Sequence, residues 1–163
     1  MPKQPNKQRT KVNWKEAKFT TYSLQGEPQR DLTWCNLSWD DATGSGLFLI
    51  RFAPGGISIP HEHLAREEFV VLEGELEDND GHIYRAGDCV SLAPGSRHFT
   101  RSRTGATSAV FVHGGFRTLD AGEVPAGVFA AAPVKPAVKP ERKPRAAAAR
   151  AKGPSRGAGR KTR

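Results

Sequence analysis

The stretch GGISIPHEHLAREEFVVLEG, residues 55–74, decides the fold of this chain. It begins with two glycines, ends with Gly74, and contains two short runs of apolar residues separated by charged residues. His61 and His63 lie two residues apart, and in an extended strand this spacing directs both side chains to the same face. The stretch therefore predicts two strands, with a pair of imidazoles that can reach one ion.

The residues on either side predict further short strands separated by turns. Gly, Pro, Asn and Asp cluster between the apolar runs, for example at residues 53–56 and 78–81. The predicted strands are Leu32–Ser38, Leu47–Phe52, Ile57–His63, Glu68–Leu72, Glu75–Glu77, Ile83–Tyr84, Cys89–Leu92, His98–Arg101 and Ala109–Val112. No sustained 3.6-residue apolar pattern occurs between residues 30 and 115, so little helix is expected there. The pattern favours an all-β, antiparallel sandwich or barrel.

Two further residues extend the histidine pair into a candidate metal site. Glu67 follows His63 by four residues, and His98 follows the turn at residues 93–97, where a strand can return the chain to the first pair. Three neutral imidazoles and one carboxylate suit a borderline divalent cation such as Zn, Fe(II), Mn, Ni or Cu. An isolated pair of histidines would be weak evidence, because such pairs are often exposed or satisfied by other partners.

The spacing of these residues resembles that of a known superfamily. Gly55, His61, His63, Glu67 and Gly74 are separated by five, one, three and six residues, which is similar to the first motif of the cupins. The segment GDCVSLAPGSRH, residues 87–98, resembles the second motif, and the run EEFVVLEG with PGSRH downstream is most similar to ChrR-like cupins. The resemblance implies an antiparallel cupin barrel, also called a double-stranded β-helix or jelly roll, over roughly residues 30–115.

The resemblance also selects ligands among neighbouring residues. Glu67 leaves six residues before Gly74 and fits the motif, whereas Glu68 leaves five and is expected to face away. The implied metal ligands are His61, His63, Glu67 and His98. The second motif departs from the family at Ala93, where a proline is usual, and at Ser102, where many cupins have an asparagine.

Strand alternation extends the prediction to the residues around the site. Counting from His98, Thr100 and Ser102 are expected to point inward, and Phe99 and Arg101 outward. Six aromatic side chains are assigned to the core or to a dimer interface in preference to a substrate-binding platform: Trp34, Trp39, Phe48, Phe52, Phe69 and Phe111. His82 and His113 are expected at the surface.

The charge is divided unevenly along the chain. Residues 1–18 hold six basic and one acidic residue, residues 19–130 eight and fifteen, and residues 131–163 eleven and one. The net charge of +8 therefore combines an acidic barrel domain at 19–130 with a basic N-terminal extension at 1–18 and a basic tail at 131–163. The tail is almost wholly Ala, Pro, Lys, Arg and Gly, and this composition predicts disorder.

Several classes of protein are excluded or disfavoured. No apolar run approaches the roughly 18 residues of a spanning helix, and no apolar stretch follows the charged N-terminus, so neither a membrane protein nor a secretory signal is expected. Cys35 and Cys89 are the two cysteines and lie far apart. We expect both thiols to be reduced, in a cytoplasmic protein.

Three functional hypotheses remain open. ChrR-like cupins include zinc-bound sensing domains, so the resemblance implies a metal-binding module for an unidentified small-molecule ligand. Other cupins are mononuclear Fe(II) dioxygenases that cleave small aromatic or diketone substrates, which is the alternative. The tail suggests a third hypothesis, weak and non-specific association with nucleic acid through residues 131–163. A homodimer is expected from the family resemblance alone.

Overall fold

The computed structural model describes residues 9–24 and 26–132 of the chain. Over these residues the fold consists of eleven strands, with no helix and hence none that could cross a membrane. The strands are β1 Thr20–Leu24, β2 Glu27–Asn36, β3 Gly46–Phe52, β4 His61–His63, β5 Glu67–Asp78, β6 Ile83–Arg85, β7 Cys89–Leu92, β8 Arg97–His98, β9 Thr100–Arg101, β10 Ala106–Val112 and β11 Phe116–Thr118.

The strands form two antiparallel sheets. The larger sheet has the order β1-β2-β3-β10-β5-β6, and β7 and β9 also pair with β5. The smaller sheet has the order β11-β4-β8 and carries the histidine motif. The predicted all-β antiparallel architecture is confirmed.

The core lies on the inner face of the larger sheet. Alternate residues of β3, β5 and β10 point inward, because successive side chains of a strand project to opposite faces. The buried cluster consists of Leu32, Phe48, Ile50, Phe52, Phe69, Val71, Leu76, Ala106, Val110 and Val112. Trp34 and Trp39 are partly buried against it, so the core assignment of five of the six predicted aromatics is confirmed.

A β-bulge changes the phase of β5 in its middle. Val71 pairs with Ser108 and Glu73 pairs with Thr107, so Leu72 is an extra residue on β5. Gly74 follows with a positive φ of 76°, and a Cβ atom there would lie 2.1 Å from the carbonyl oxygen of Gly105. The predicted break between Leu72 and Glu75 is wrong, since Gly74 lies inside one long strand.

Most predicted strands are present, but with shifted bounds: β2 begins five residues before the predicted Leu32, and of the predicted Ile57–His63 only His61–His63 form a strand. Residues 89–92 form a strand with the predicted bounds, whereas Glu68–Leu72 and Glu75–Glu77 are parts of the continuous β5. The prediction lacked β1 and β11, which are short and only partly buried. Their sequences show little apolar alternation, so their pairing with β2 and β4 is what identifies them.

Alternation failed at Phe99 and holds at Phe111, which is exposed between the buried Val110 and Val112. Phe99 is 1% exposed although it was expected to point outward, because the chain is interrupted between β8 and β9 and its ring packs edge-on against Phe129. Thr100 and Ser102 are buried as predicted. Phe111 is 38% exposed, so it is not a core residue of the single chain, and its place at a dimer interface stays a prediction.

The predictions for the basic tail fall almost wholly outside the described residues, as do those for residues 1–8. Between residues 9 and 19 no strand occurs in the described chain, and β1 begins at Thr20. The domain boundaries at residues 18 and 130 stay predictions. Both cysteines are unpaired, Cys35 partly buried and Cys89 exposed.

Candidate metal centre

Three histidines meet at the mouth of the space between the two sheets. His61 and His63 lie on β4, and His98 on the neighbouring β8 is the register partner of His61. The Nε2 atom of His98 lies 2.9 Å from that of His63 and 3.2 Å from that of His61. One nitrogen of each ring therefore converges on a single point, as the sequence pattern predicted.

Hydrogen bonds at Nδ1 determine the tautomers of His61 and His98. Nδ1 of His61 donates to the carbonyl oxygen of Ile59 at 2.8 Å, and Nδ1 of His98 donates to Asp78, with both carboxylate oxygens at 3.1 Å. Because these oxygens only accept hydrogen bonds, the proton of each neutral ring is on Nδ1. The Nε2 lone pairs of both rings are then directed at the common point, which is the arrangement of metal-ligating histidines.

His63 has an unsatisfied nitrogen. Its side chain is fully buried, and Nδ1 has no hydrogen-bond partner. The nearest carboxylate oxygen, Oε2 of Glu67, is 3.6 Å from Nδ1, which is too long for a hydrogen bond. A cation at the common point would take the Nε2 lone pair of His63 and leave its proton on Nδ1, facing Glu67.

Glu67 and Glu68 occupy opposite faces of β5. Glu67 is buried and lines the inner cavity, whereas the carboxylate of Glu68 is half exposed and lies 3.0 Å from Nε2 of His113 on the outside. Glu67 approaches Nδ1 of His63 and not the Nε2 atom that meets the other rings. Its role as a fourth metal ligand stays a prediction.

Burial shifts the titration of the site toward neutral groups. The pKa of His61 lies well below its ordinary value because of burial and the neighbouring His98 and His63. Burial and His98 lower the pKa of His63 to about 4, and burial raises the pKa of Glu67 to about 7. Neutral imidazoles are the form that binds a metal, so at neutral pH protons compete weakly for His61 and His63.

Asp78 is a residue of the site that the sequence analysis did not identify. It lies at the end of β5, next to His98, and also accepts hydrogen bonds from the hydroxyl of Thr100 and from that of Tyr84 at 3.0 Å. Burial acts to raise the pKa of Asp78, but the hydrogen bonds from His98, Thr100 and Tyr84 outweigh it and hold that pKa below its ordinary value. Asp78 is thus an ionised carboxylate that orients His98.

The hydrogen bond between Asp78 and His98 also shifts the pKa of His98. Burial acts to lower the pKa of this imidazole, but the hydrogen bond and the negative charge of Asp78 raise it above the ordinary value. Among the three histidines, His98 is therefore the strongest base. A more basic imidazole is also a better donor to a cation.

A partly open cavity adjoins the histidines. His61, Glu67 and His98 lie in its wall together with residues of both sheets, so it occupies the space between them. Most of the wall is apolar, as shown by Leu24, Leu32, Phe48, Ile50, Phe52, Ile59, Phe69, Leu76, Val110 and Phe116. The cavity suits a small ligand with a largely apolar body.

The comparison with known families identifies the chain. The family model of the ChrR cupin-like domain matches residues 16–113. The chain belongs to this family. The predicted resemblance to ChrR-like cupins is confirmed. No curated protein matches this cupin in sequence.

Solved structures agree with the cupin fold. A putative acetylacetone dioxygenase from Methylibium petroleiphilum has a TM-score of 0.60 at 15% identity, with 78% of this chain and 91% of that chain covered. An acetylacetone dioxygenase from Acinetobacter johnsonii has a TM-score of 0.59 at 18% identity, with coverage of 77% and 87%. The polyketide cyclase RemF from Streptomyces resistomycificus has a TM-score of 0.55 at 19% identity, with coverage of 71% and 88%. At these identities the likeness shows the fold alone.

The residues of this cupin fit a divalent metal ion. The three histidines form a group whose ligand nitrogens all lie within 4.8 Å of one another. Two of them have Nδ1 engaged by an acceptor, and the third has an unsatisfied buried Nδ1. His61 and His98 both direct an Nε2 lone pair at this group, and a bound cation would satisfy them.

Proposed function

We propose that this cupin binds one divalent metal ion through His61, His63 and His98 and binds a small organic ligand in the adjoining cavity. The observation that carries the proposal is the orientation of the imidazoles. Ile59 and Asp78 hold the Nδ1 protons of His61 and His98, which leaves both Nε2 lone pairs facing His63. Zn, Fe(II), Mn and Ni all accept such nitrogen ligands.

The separations between the nitrogens support a centre with open positions. For metal–nitrogen bonds of about 2.1 Å, ligands about 90° apart are separated by about 3.0 Å, and tetrahedral ligands by about 3.4 Å. The separation of 2.9 Å between His63 and His98 is near the first value, and that of 3.2 Å between His61 and His98 lies midway between the two. The three histidines would hold the ion and leave further coordination positions for Glu67 and for ligand atoms.

Glu67 is proposed as the fourth ligand, as the family motif implies. Its carboxylate is buried in the wall of the cavity, and a cation beside it would stabilise its ionised form. A shorter approach than the present 3.6 Å to Nδ1 of His63 would give Glu67 a second role, as acceptor of the proton that His63 carries when Nε2 binds a metal. Both roles require the inward orientation of Glu67.

Cupin dioxygenase activity is the second candidate function. Two of the structurally similar proteins are described as acetylacetone dioxygenases, one of them as putative, and the cavity of this chain is mostly apolar. Bound Fe(II) would supply a site that coordinates a diketone and activates O₂. The histidines would hold the ion, and the apolar wall, with Phe48 and Phe69 among its residues, would orient the substrate and exclude water.

Metal analysis tests the first proposal. The protein purified without added metal is expected to contain about one equivalent of a divalent ion, and the double variant His61→Ala with His98→Ala is expected to lose it. The matched control is His82→Ala with His113→Ala, which removes two exposed imidazoles away from the cavity. Elemental analysis is the measurement. Metal content of the first double variant equal to that of the wild type would contradict the site.

O₂ consumption distinguishes the two functions. Protein reconstituted with Fe(II) without oxygen is mixed with acetylacetone, and O₂ uptake is followed after oxygen is admitted. Uptake that depends on His61 and His98 supports the dioxygenase. Tight zinc binding without O₂ uptake by the Fe(II) form supports a ligand-binding or sensing module and contradicts dioxygenase activity on this substrate.

A further inference from the structure

The hydroxyl of Ser108 is a second unsatisfied polar group in the wall of the cavity. Ser108 lies on β10, is 1% exposed, and has no hydrogen-bond partner for Oγ. Among buried side-chain atoms of the described residues, Oγ of Ser108 and Nδ1 of His63 share this condition. The metal site accounts for His63 but not for Ser108.

The surroundings of Ser108 are apolar. Its register partners are Ile50 on β3 and Val71 on β5, and Val110 is the next inward-facing residue on its own strand. Ser108, Ile50 and Val110 all line the cavity. The hydroxyl therefore lies among apolar neighbours, and no polar group of the wall forms a hydrogen bond with it.

Other buried hydroxyls in this region have partners. Oγ of Ser58 accepts the backbone N–H of Thr100 at 2.9 Å, and the hydroxyl of Thr100 donates to Asp78. Oγ of Ser102 donates to the carbonyl oxygen of Glu75 at 2.7 Å. Burying a hydroxyl without a partner costs about 1–3 kcal/mol. An alanine at position 108 would avoid this cost, so the serine is explained best by a partner that enters the cavity.

Ser108 is separated from the histidine end of the cavity along β10. Val112 pairs with Glu67 beside the histidines, and Ser108 is four residues earlier on the same strand. Ile50 and Val110 line the cavity with Ser108. A ligand that reaches both Ser108 and the histidines therefore needs polar atoms at two positions and an apolar body between them.

We propose that Ser108 binds the distal polar group of the cavity ligand. The ligand then has a chelating group at the metal centre, an apolar body against Ile50 and Val110, and a hydroxyl or carbonyl group that forms a hydrogen bond with Oγ of Ser108. This inference rests on the proposed small-ligand site and adds the chemical class of its ligand. Ser108 is its specificity-determining residue.

The first test is the stability of the protein without ligand. Ser108→Ala is expected to leave the midpoint of thermal unfolding unchanged or to raise it, because the variant removes an unsatisfied hydroxyl. The matched control Ser58→Ala removes a hydroxyl that has a partner, and it is expected to lower the midpoint. A decrease for Ser108→Ala as large as that for Ser58→Ala would overturn the proposal, since it would mean that the hydroxyl is satisfied within the protein.

The second test is a binding cycle with two diketone probes. These are 1-(4-hydroxyphenyl)butane-1,3-dione and its 4-methyl analogue, which place the diketone and the varied group at opposite ends. Calorimetry gives the affinity of each probe for wild type and Ser108→Ala. For each protein we take the affinity of the hydroxyl probe divided by that of the methyl probe. We expect this ratio to be about fivefold to tenfold larger in the wild type than in Ser108→Ala, which is the effect of one hydrogen bond.

The outcomes separate this proposal from the metal site. Equal ratios in the two proteins, or no binding of either probe at millimolar concentration, would overturn the role of Ser108. The cycle is run on zinc-loaded and on metal-free protein. A Ser108-dependent ratio with affinities that zinc does not change would support the distal contact and contradict the proposed metal chelation. A ratio that depends on Ser108 and affinities that zinc strengthens would support both.

Discussion

Nδ1 of His98 donates its proton to Asp78, with both carboxylate oxygens 3.1 Å away. Asp78 comes from the end of β5 in the larger sheet, and His98 from β8 in the smaller one. The hydrogen bond joins the two sheets at the candidate metal centre. It fixes the tautomer of His98 and so determines which nitrogen is free to bind an ion.

Asp78→Asn is expected to weaken metal binding by about tenfold to a hundredfold, because the amide keeps the size of the side chain but loses the charge that makes His98 basic. Competition with a coloured chelator measures the zinc affinity. Glu73→Gln is the control, since it removes an exposed carboxylate from the same strand. Equal zinc affinities for Asp78→Asn and the control would show that Asp78 does not orient the site.

The metal-free protein is expected to show a pH dependence that arises from Glu67. The pKa of Glu67 is about 7 in the folded state against an ordinary value of 4.5, so between these values the folded protein binds the extra proton. The contribution of Glu67 to the free energy of unfolding is therefore fully present below pH 4.5 and is lost as the pH rises to about 7. Glu67→Gln carries no such proton and should be more stable than wild type by about 3 kcal/mol above pH 7, and similar to it at pH 4.5.

Urea unfolding at several pH values, with a chelator present, measures this difference. The low pKa of His63, about 4, also makes stability depend on pH, but it acts in both proteins and cancels from the comparison. Glu68→Gln removes the neighbouring half-exposed carboxylate and is the control. A constant difference between Glu67→Gln and wild type from pH 4.5 to 8 would show that burial does not raise the pKa of Glu67.

Substitution of Gly74 tests the bulge that shifts the phase of β5. Gly74→Ala is expected to destabilise the fold by considerably more than Gly87→Ala. Both glycines have a positive φ, 76° and 100°, at which an alanine costs about 1–2 kcal/mol. At Gly74 a Cβ would also meet the Gly105 carbonyl at 2.1 Å, while at Gly87 nothing lies within 4 Å. Equal losses of unfolding free energy in the two variants would contradict this close approach.

The basic tail is expected to bind nucleic acid weakly and without sequence preference. Residues 131–163 lie almost entirely outside the described structure but carry eleven basic residues and one acidic residue. At low salt, duplex DNA should retain the full chain more strongly than a chain ending at Ala130, and added salt should abolish the difference. Filter binding at two salt concentrations measures it, and equal retention at low salt would reject the hypothesis.

The sequence predicted the histidine site because strand alternation is local. In H-x-H both side chains share a face whenever the segment is extended, so His61 and His63 needed only the assignment of a strand. The inward position of Glu67 and the outward position of Glu68 follow from the same period and from the spacing of the cupin motif. The antiparallel fold followed from the short strands and their turns, for the same local reason.

The residues that the sequence did not place depend on departures from this period. Counting by twos from Glu67 would direct Asp78 outward, but the extra residue at Leu72 changes the phase, so Leu76 and Asp78 face inward. At Phe99 the chain is interrupted between two short strands, and the ring packs against Phe129, far along the chain.

The sequence by itself thus determined most of the strands, the antiparallel class and, through the resemblance to the cupin motifs, the three histidines. Only the tertiary structure decided which groups support them, namely Asp78 behind His98 and the unpartnered hydroxyl of Ser108 in the cavity. The physical reason is that alternation along a strand acts between near neighbours. Bulges, chain interruptions and the hydrogen bonds between sheets arise only when distant strands pair and pack.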